Sequence, residues 1–135
     1  MPASTTALTV LAAPGTPAGP TWDEQDTDVS PGNNFDNDGV TMLFARNNTA
    51  GAIDLIFEAD LYGTERTVLQ VTIPGSGTEN GVKVLGPFPP GRFNNHDTTE
   101  VASTGKVFVR QASGTDGQVK LCPFKVNRSL LAGAY

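Results

Sequence analysis

The stretch IDLIFEA, Ile53 to Ala59, decides the fold. Ile53, Leu55 and Phe57 fall on one side of an extended chain, with Asp54 and Glu58 on the other. That two-residue period belongs to a strand with one dry face and one wet face. TVLQVTI (67–73) repeats it, setting Leu69, Val71 and Ile73 against Gln70 and Thr72. VTMLFARN (40–47), VKVL (82–85), KVFVRQ (106–111) and QVKLCPFKV (118–126) share its character, and ALTVLA (7–12) is a further candidate. No window of a dozen residues shows apolar positions at helical spacing free of Gly or Pro. Clusters of Gly, Pro, Asn and Asp separate the runs. Asn80-Gly81 stands just before VKVL and Asp116-Gly117 just before QVKL, dipeptides suited to tight hairpin turns. The pattern predicts an all-β chain: a single-domain antiparallel β-sandwich, jelly-roll or immunoglobulin-like.

A chain of 135 residues fits one domain and can bury a core without staples. No apolar run approaches the roughly 18 residues of a membrane span, so no membrane partner is expected. The opening MPASTTALTVLAAPG lacks the basic flank of a secretory leader and keeps its Met, which points to synthesis in the cytoplasm. One cysteine, Cys122, excludes an intrachain disulfide, and with His96 as the one histidine a Cys/His zinc set is excluded too. Net charge is −5 and lopsided: Asp23, Glu24, Asp26, Asp28, Asp36 and Asp38 precede the first basic residue, Arg46. Nucleic acid wants a basic face, so it is not expected as a partner.

PGTPAGPTWDEQDTDVSPGNN (14–34) is rich in Pro, Gly and acids and holds the one Trp. It divides the chain into residues 1–35, an N-terminal strand and extended acidic arm, then a sandwich over 36–128 and a tail over 129–135. The arm reads either as a solvated lead-in or as a segment that docks on a neighbour through Trp22, with Asp23 beside it. Its acidity suits a basic surface.

Within PGNNFDNDG (31–39), Asn34, Asp36, Asp38 and Gly39 match the first half of an EF-hand calcium loop. The bidentate Glu that the loop needs is replaced by Ala45. Asx side chains also bond their own backbone in turns, and that reading is preferred, with Asn34, Asp36 and Asp38 kept as a weak calcium candidate. No cofactor is expected. His96, beside Asp97 and near Glu100, lacks a second His or Cys, and Cys122 lies either in the core or on the face of Lys120 and Phe124. PGSGTENG (74–81) misses the phosphate-loop spacing, and Ser76 lacks the glycines of a nucleophile elbow. An enzyme is not expected. In LGPFPPGRFNN (85–95), Pro87, Pro89 and Pro90 remove backbone donors and force the chain out of a sheet in a stiff, extended form. Phe88 and Phe93 either cap the core there or join Pro89, Pro90 and Asn94 in a rigid contact surface.

NDGVTMLFARN (37–47), VTIPGSG (71–77), LGPFPPGRFNN (85–95) and GKVFVR (105–110), in that order, resemble a group of small virion proteins of tailed bacteriophages, the capsid decoration (cement) and minor head proteins. The resemblance covers about residues 36 to 126; Asp38, Gly39, Thr41, Asn47, Gly86 to Pro89, Phe93 and Asn94 are its pattern positions. It implies a small β domain made in the host cytoplasm and located on the virion, where it binds the major capsid protein on the outer surface of the head, as a trimer at three-fold lattice positions or singly. A head-completion, connector or tail subunit would have similar composition. A carbohydrate-binding β-sandwich is a further alternative, disfavoured by the scattered aromatics.

Overall fold

A computed structural model describes residues 6–10, 24–30, 32–61, 64–95 and 105–125. The elements are β1 (Thr6–Ala7), β2 (Gln25–Asp26), β3 (Asn33–Asp36), β4 (Thr41–Asn47), β5 (Ile53–Leu61) and β6 (Thr64–Ile73). After a 3-10 turn (Glu79–Gly81) come β7 (Val82–Leu85), one helical turn α1 (Pro90–Phe93), β8 (Lys106–Gln111) and β9 (Val119–Lys125). One sheet has the order β1-β3-β8-β5-β6 and the other β2-β9-β4-β7. Pairing is antiparallel throughout except between β1 and β3. The chain is an all-β sandwich. No helix among the described residues is long and apolar enough to cross a membrane.

Alternation builds the core. Thr41, Leu43, Ala45 and Asn47 of β4 are buried, while Met42, Phe44 and Arg46 between them are half-buried on the outer face. Leu55 and Phe57 of β5, Val107 and Val109 of β8, and Val119 and Leu121 of β9 complete the two inner faces. Cys122 takes the outer face, opposite Phe44, and is buried there. The Thr27 amide bonds the Val119 carbonyl, so alternate residues of β9 turn their backbone toward β2. Pro123 shares that parity, and its missing N–H therefore faces away from β4 and costs that pairing nothing.

Three expectations need correction. Asn33–Asp36 is a strand rather than part of an arm or turn: it pairs with β8 from Asn33↔Val109 to Asp36↔Lys106 and buries Phe35. With β2 paired to β9 and β3 to β8, both strands belong to the sandwich. Asn80-Gly81 and Asp116-Gly117 are not hairpin turns. Asn80, Gly81 and Gly117 do adopt positive φ, but each turn carries the chain from one sheet to the other. Among consecutive described strands, β5 and β6 alone pair with each other. Finally, the proline segment is not extended throughout, because Pro90 sits where a helix loses no hydrogen bond and starts α1.

That segment also supplies the centre of the core. Phe88 is 2% exposed and its ring contacts Phe35, Phe57 and Phe93, with centroids 5.7, 5.2 and 5.2 Å away. Phe57 and Phe93 meet edge-on at 6.3 Å. Such ring pairs add about 0.5–1.5 kcal/mol each beyond the area they bury. Phe88→Ala is expected to lower the unfolding free energy by about 3–5 kcal/mol in urea titrations. The adjacent exposed Pro89→Ala should change it by about 0.5 kcal/mol or less.

Candidate functional site

At one end of the sandwich, β3 stops and the chain crosses to β4 through Asn37–Val40. The Asn37 carboxamide oxygen accepts from the Gly39 N–H at 3.1 Å, and the Asp38 carboxylate accepts from the Val40 N–H at 3.1 Å and the Thr41 hydroxyl at 3.3 Å. Gly39 lies at φ 91°, a conformation that side chains oppose. This is an Asx turn.

The turn is locked to the proline segment. Asn37 Nδ2 donates to the Phe88 carbonyl at 2.9 Å and to Asn94 Oδ1 at 2.6 Å, and Asn94 Nδ2 returns a bond to the Asn37 carbonyl at 3.0 Å. Both side chains are buried. The Arg92 and Phe93 amides close on the Pro89 carbonyl, and the Asn94 amide on that of Pro90. Asn95 bonds Lys106 and Gly105, and the Asn37 amide also bonds Gly105. Three chain segments thus form one hydrogen-bonded platform. Pro87, Pro89, Pro90, Gly91 and Arg92 face solvent from it. Phe88, Phe93 and Asn94 do not: each is buried, so as contact residues they are corrected to supports beneath the exposed prolines. The rings left solvent because the core offers three aromatic neighbours, and the amide because two loops offer it partners.

The structure does not bring the calcium candidates together. Asn34 is buried in the β3 ladder, Asp36 pairs with Lys106 of β8 at 2.7 Å, and Asp38 pairs with Lys125 of β9 at 3.1 Å. The two carboxylates turn toward different sheets. Among the described residues, no group of three or more His, Cys, Asp or Glu could hold a metal ion. Desolvation, the largest single influence, acts to raise the pKa of Asp38, but the Val40 N–H and the Lys125 ammonium together outweigh it and hold the carboxyl below its ordinary value of 3.8.

The lopsided distribution of charge along the sequence is met by pairing inside the molecule. Glu24 pairs with Arg46, Asp26 with Lys120, Asp36 with Lys106 and Asp38 with Lys125, each acid from the first 45 residues meeting a base from beyond them. Asp28 accepts from the Thr6 hydroxyl at 2.6 Å. The acids at 24–38 are therefore committed to this chain's own partners. Trp22, Asp23 and His96 lie outside the described residues.

The sequence reading gave no structural role to the amides that close the other crossovers, Asn47 being named there only as a pattern position. Asn47 Nδ2 donates to the Gly51 and Ile73 carbonyls, and Asn47 Oδ1 accepts from the Thr49 amide. Gln111 accepts from the Val119 amide and donates to the Ser113 and Thr115 carbonyls. Asn33 accepts from the Asp28 amide at 2.7 Å. A signal was present: Asn47 continues the inward parity of Leu43 and Ala45, and Gln111 that of Val107 and Val109. An amide on the apolar parity at a strand's last position marks a crossover. No family model, curated protein or solved structure matches the chain.

Two measurements test the platform. Asn37→Ala strands the Phe88 carbonyl and the Asn94 amide in a buried site and is expected to cost about 1–3 kcal/mol of stability, read by chemical denaturation. For Asp38 the folded-state pKa is depressed, so its contribution is full above the unfolded value of 3.8 and is lost as pH falls through the lower folded value. The stability difference between wild type and Asp38→Asn should hold steady from about pH 7 to about pH 5 and shrink toward zero in more acid solution. A difference that instead vanished on the alkaline side would contradict this assignment.

Proposed function

We propose that this chain is a virion structural protein, a capsid decoration protein that binds the outer surface of a phage head and stabilises it. The observation that carries the reading is the ordered resemblance of NDGVTMLFARN, VTIPGSG, LGPFPPGRFNN and GKVFVR to that group of small phage proteins. The geometry supports it in one respect. Two of these segments, NDG and GPFPPGRFNN, are hydrogen-bonded into a single rigid end whose exposed residues are prolines, glycines, Arg92 and the Lys125-paired Asp38. A rigid surface loses little conformational entropy on docking.

On this reading the partner is the major capsid protein, contacted through Pro87, Pro89, Pro90 and Arg92, singly or as a trimer around lattice three-folds. The domain acts through its interface alone. Each copy that touches two capsid subunits ties them together, and repeated over a lattice such modest contacts raise the cost of releasing any one subunit.

The test is cosedimentation of the purified protein with undecorated heads of its own phage. Saturable binding on the order of hundreds of copies per head, unchanged by a calcium chelator and weakened by Pro89→Glu with Pro90→Glu, is expected. Binding at about a dozen copies would move the protein to a connector or tail position, and absence of binding would overturn the head assignment.

A further inference from the structure

Of the two outermost strands of the first sheet, β6 is the longer, at ten residues, and among the described residues it pairs only with β5. The Asp54 carbonyl bonds the Ala112 amide on the β8 side. Asp54 therefore turns its backbone groups away from β6, and in an antiparallel ladder its partner Thr72 turns its own outward. Gln70, two residues back, does the same. The resulting row of outward N–H and C=O groups is a template on which another chain can pair.

Two cations occupy that row. Lys83 Nζ of β7 donates to the Thr72 carbonyl at 3.2 Å, and an Arg92 guanidinium nitrogen of α1 donates to the Val68 carbonyl at 2.9 Å. Both come from elements outside the first sheet, and Lys83 links the margins of the two sheets. Arg92 is fixed in place by its stacking over Phe93, 5.3 Å from the ring centroid. Gln70 and Thr72 are pinned on the outer face by Asp54, at 2.7 Å each; the β5–β6 ladder is regular from Leu69 to Ile73 and shifts register at Val68. Val68, Leu69 and Val71 remain only partly covered beside it.

We propose that Lys83 and Arg92 are guards that keep β6 from pairing with β6 of a second copy of this chain. The second copy is the occupant this margin fits. Antiparallel self-pairing centred on Gln70 would set identical outward donors against identical outward acceptors about a two-fold axis. It would also cover the half-exposed Val68, Leu69 and Val71. In that register Thr72 of one copy lies opposite Val68 of the other. The guards thus fill the acceptors on either side of Gln70, and each Lys83 would be forced beside the other copy's Arg92. Like charges so placed oppose association.

The experiment is sedimentation velocity of the full chain over a range of concentrations, with circular dichroism as the check on folding. Wild type is expected to show no β6-mediated dimer, and Lys83→Ala with Arg92→Ala to dimerise. Each single variant should fall between, with self-association strengthened by roughly tenfold per guard removed. Gln70→Pro, placed where the N–H faces outward, should abolish the dimer of the double variant. A folded double variant that stays monomeric overturns the proposal, as does a dimer indifferent to Gln70→Pro. If the double variant fails to fold, the singles decide by the same two criteria. A wild-type dimer dissolved by Gln70→Pro would show the margin unguarded and also overturn it.

Discussion

The chain changes sheets at nearly every turn, and the rest of the structure depends on how those crossings are satisfied. A hairpin settles its own backbone hydrogen bonds in the ladder, but a crossing between two stacked sheets passes over the end of the core, where ladder partners stop. Leaving one buried N–H or C=O unmet there costs about 1–3 kcal/mol. Here buried amide side chains meet the need. Asn33, Asn37, Asn47 and Gln111 stand at or beside strand ends and Asn94 at the end of α1, and all bond the backbone of the crossing segments. A carboxamide suits this position because it offers donors and an acceptor without a charge to desolvate.

The proline segment follows the same logic from the other direction. Its residues cannot join a sheet, yet Phe88 inserts between Phe35, Phe57 and Phe93, so the loop is pinned from below by aromatic packing and from the side by Asn37. Core and surface are therefore not separable at this end. Whatever loosens the rings also moves the exposed prolines, and the rigidity of the platform derives from the stability of the domain rather than from the prolines alone. A loop built this way meets a partner with little left to order, which is the physical basis for offering it as a contact surface.

Strand existence was legible because alternation is a local property: IDLIFEA and TVLQVTI became β5 and β6. Strand pairing was not. Asn80-Gly81 has the backbone of a tight turn but leads into the opposite sheet, a choice set by the register of distant strands rather than by the dipeptide. β3 was hidden because its Asn residues resemble turn chemistry; only the buried Phe35 and the ladder to β8 show otherwise. At the platform, the sequence exposed the two segments separately. That Phe88 and Phe93 cap the core was one of two readings of the proline segment, and local pattern could not choose between them. The contact between Asn37 and Asn94 spans 57 residues and has no local signature at all.

Charge follows that separation between local and distant. The acid-rich first third and the more basic remainder appear on paper to be two surfaces awaiting different partners. In the fold they meet each other, four acids with four bases drawn from β4, β8 and β9. Arg110 joins Glu58, and Lys83 and Arg92 bind carbonyls of β6. Every Lys and Arg side chain described in the structure thus has an acceptor within its own chain. Exposed pairs of this kind contribute little individually, about 0–1 kcal/mol each, but they cancel the local contrast between the two parts of the chain, while the net charge of −5 remains. For the docking proposed at the platform, the nearby Asp38 and Arg92 are already held by Lys125 and the Val68 carbonyl, so local charge is a weak basis for recognition there. What remains is close-range complementarity, the fit of a rigid, proline-edged surface to a matching one, and such an interface should owe its affinity to slow release rather than to fast, steered association.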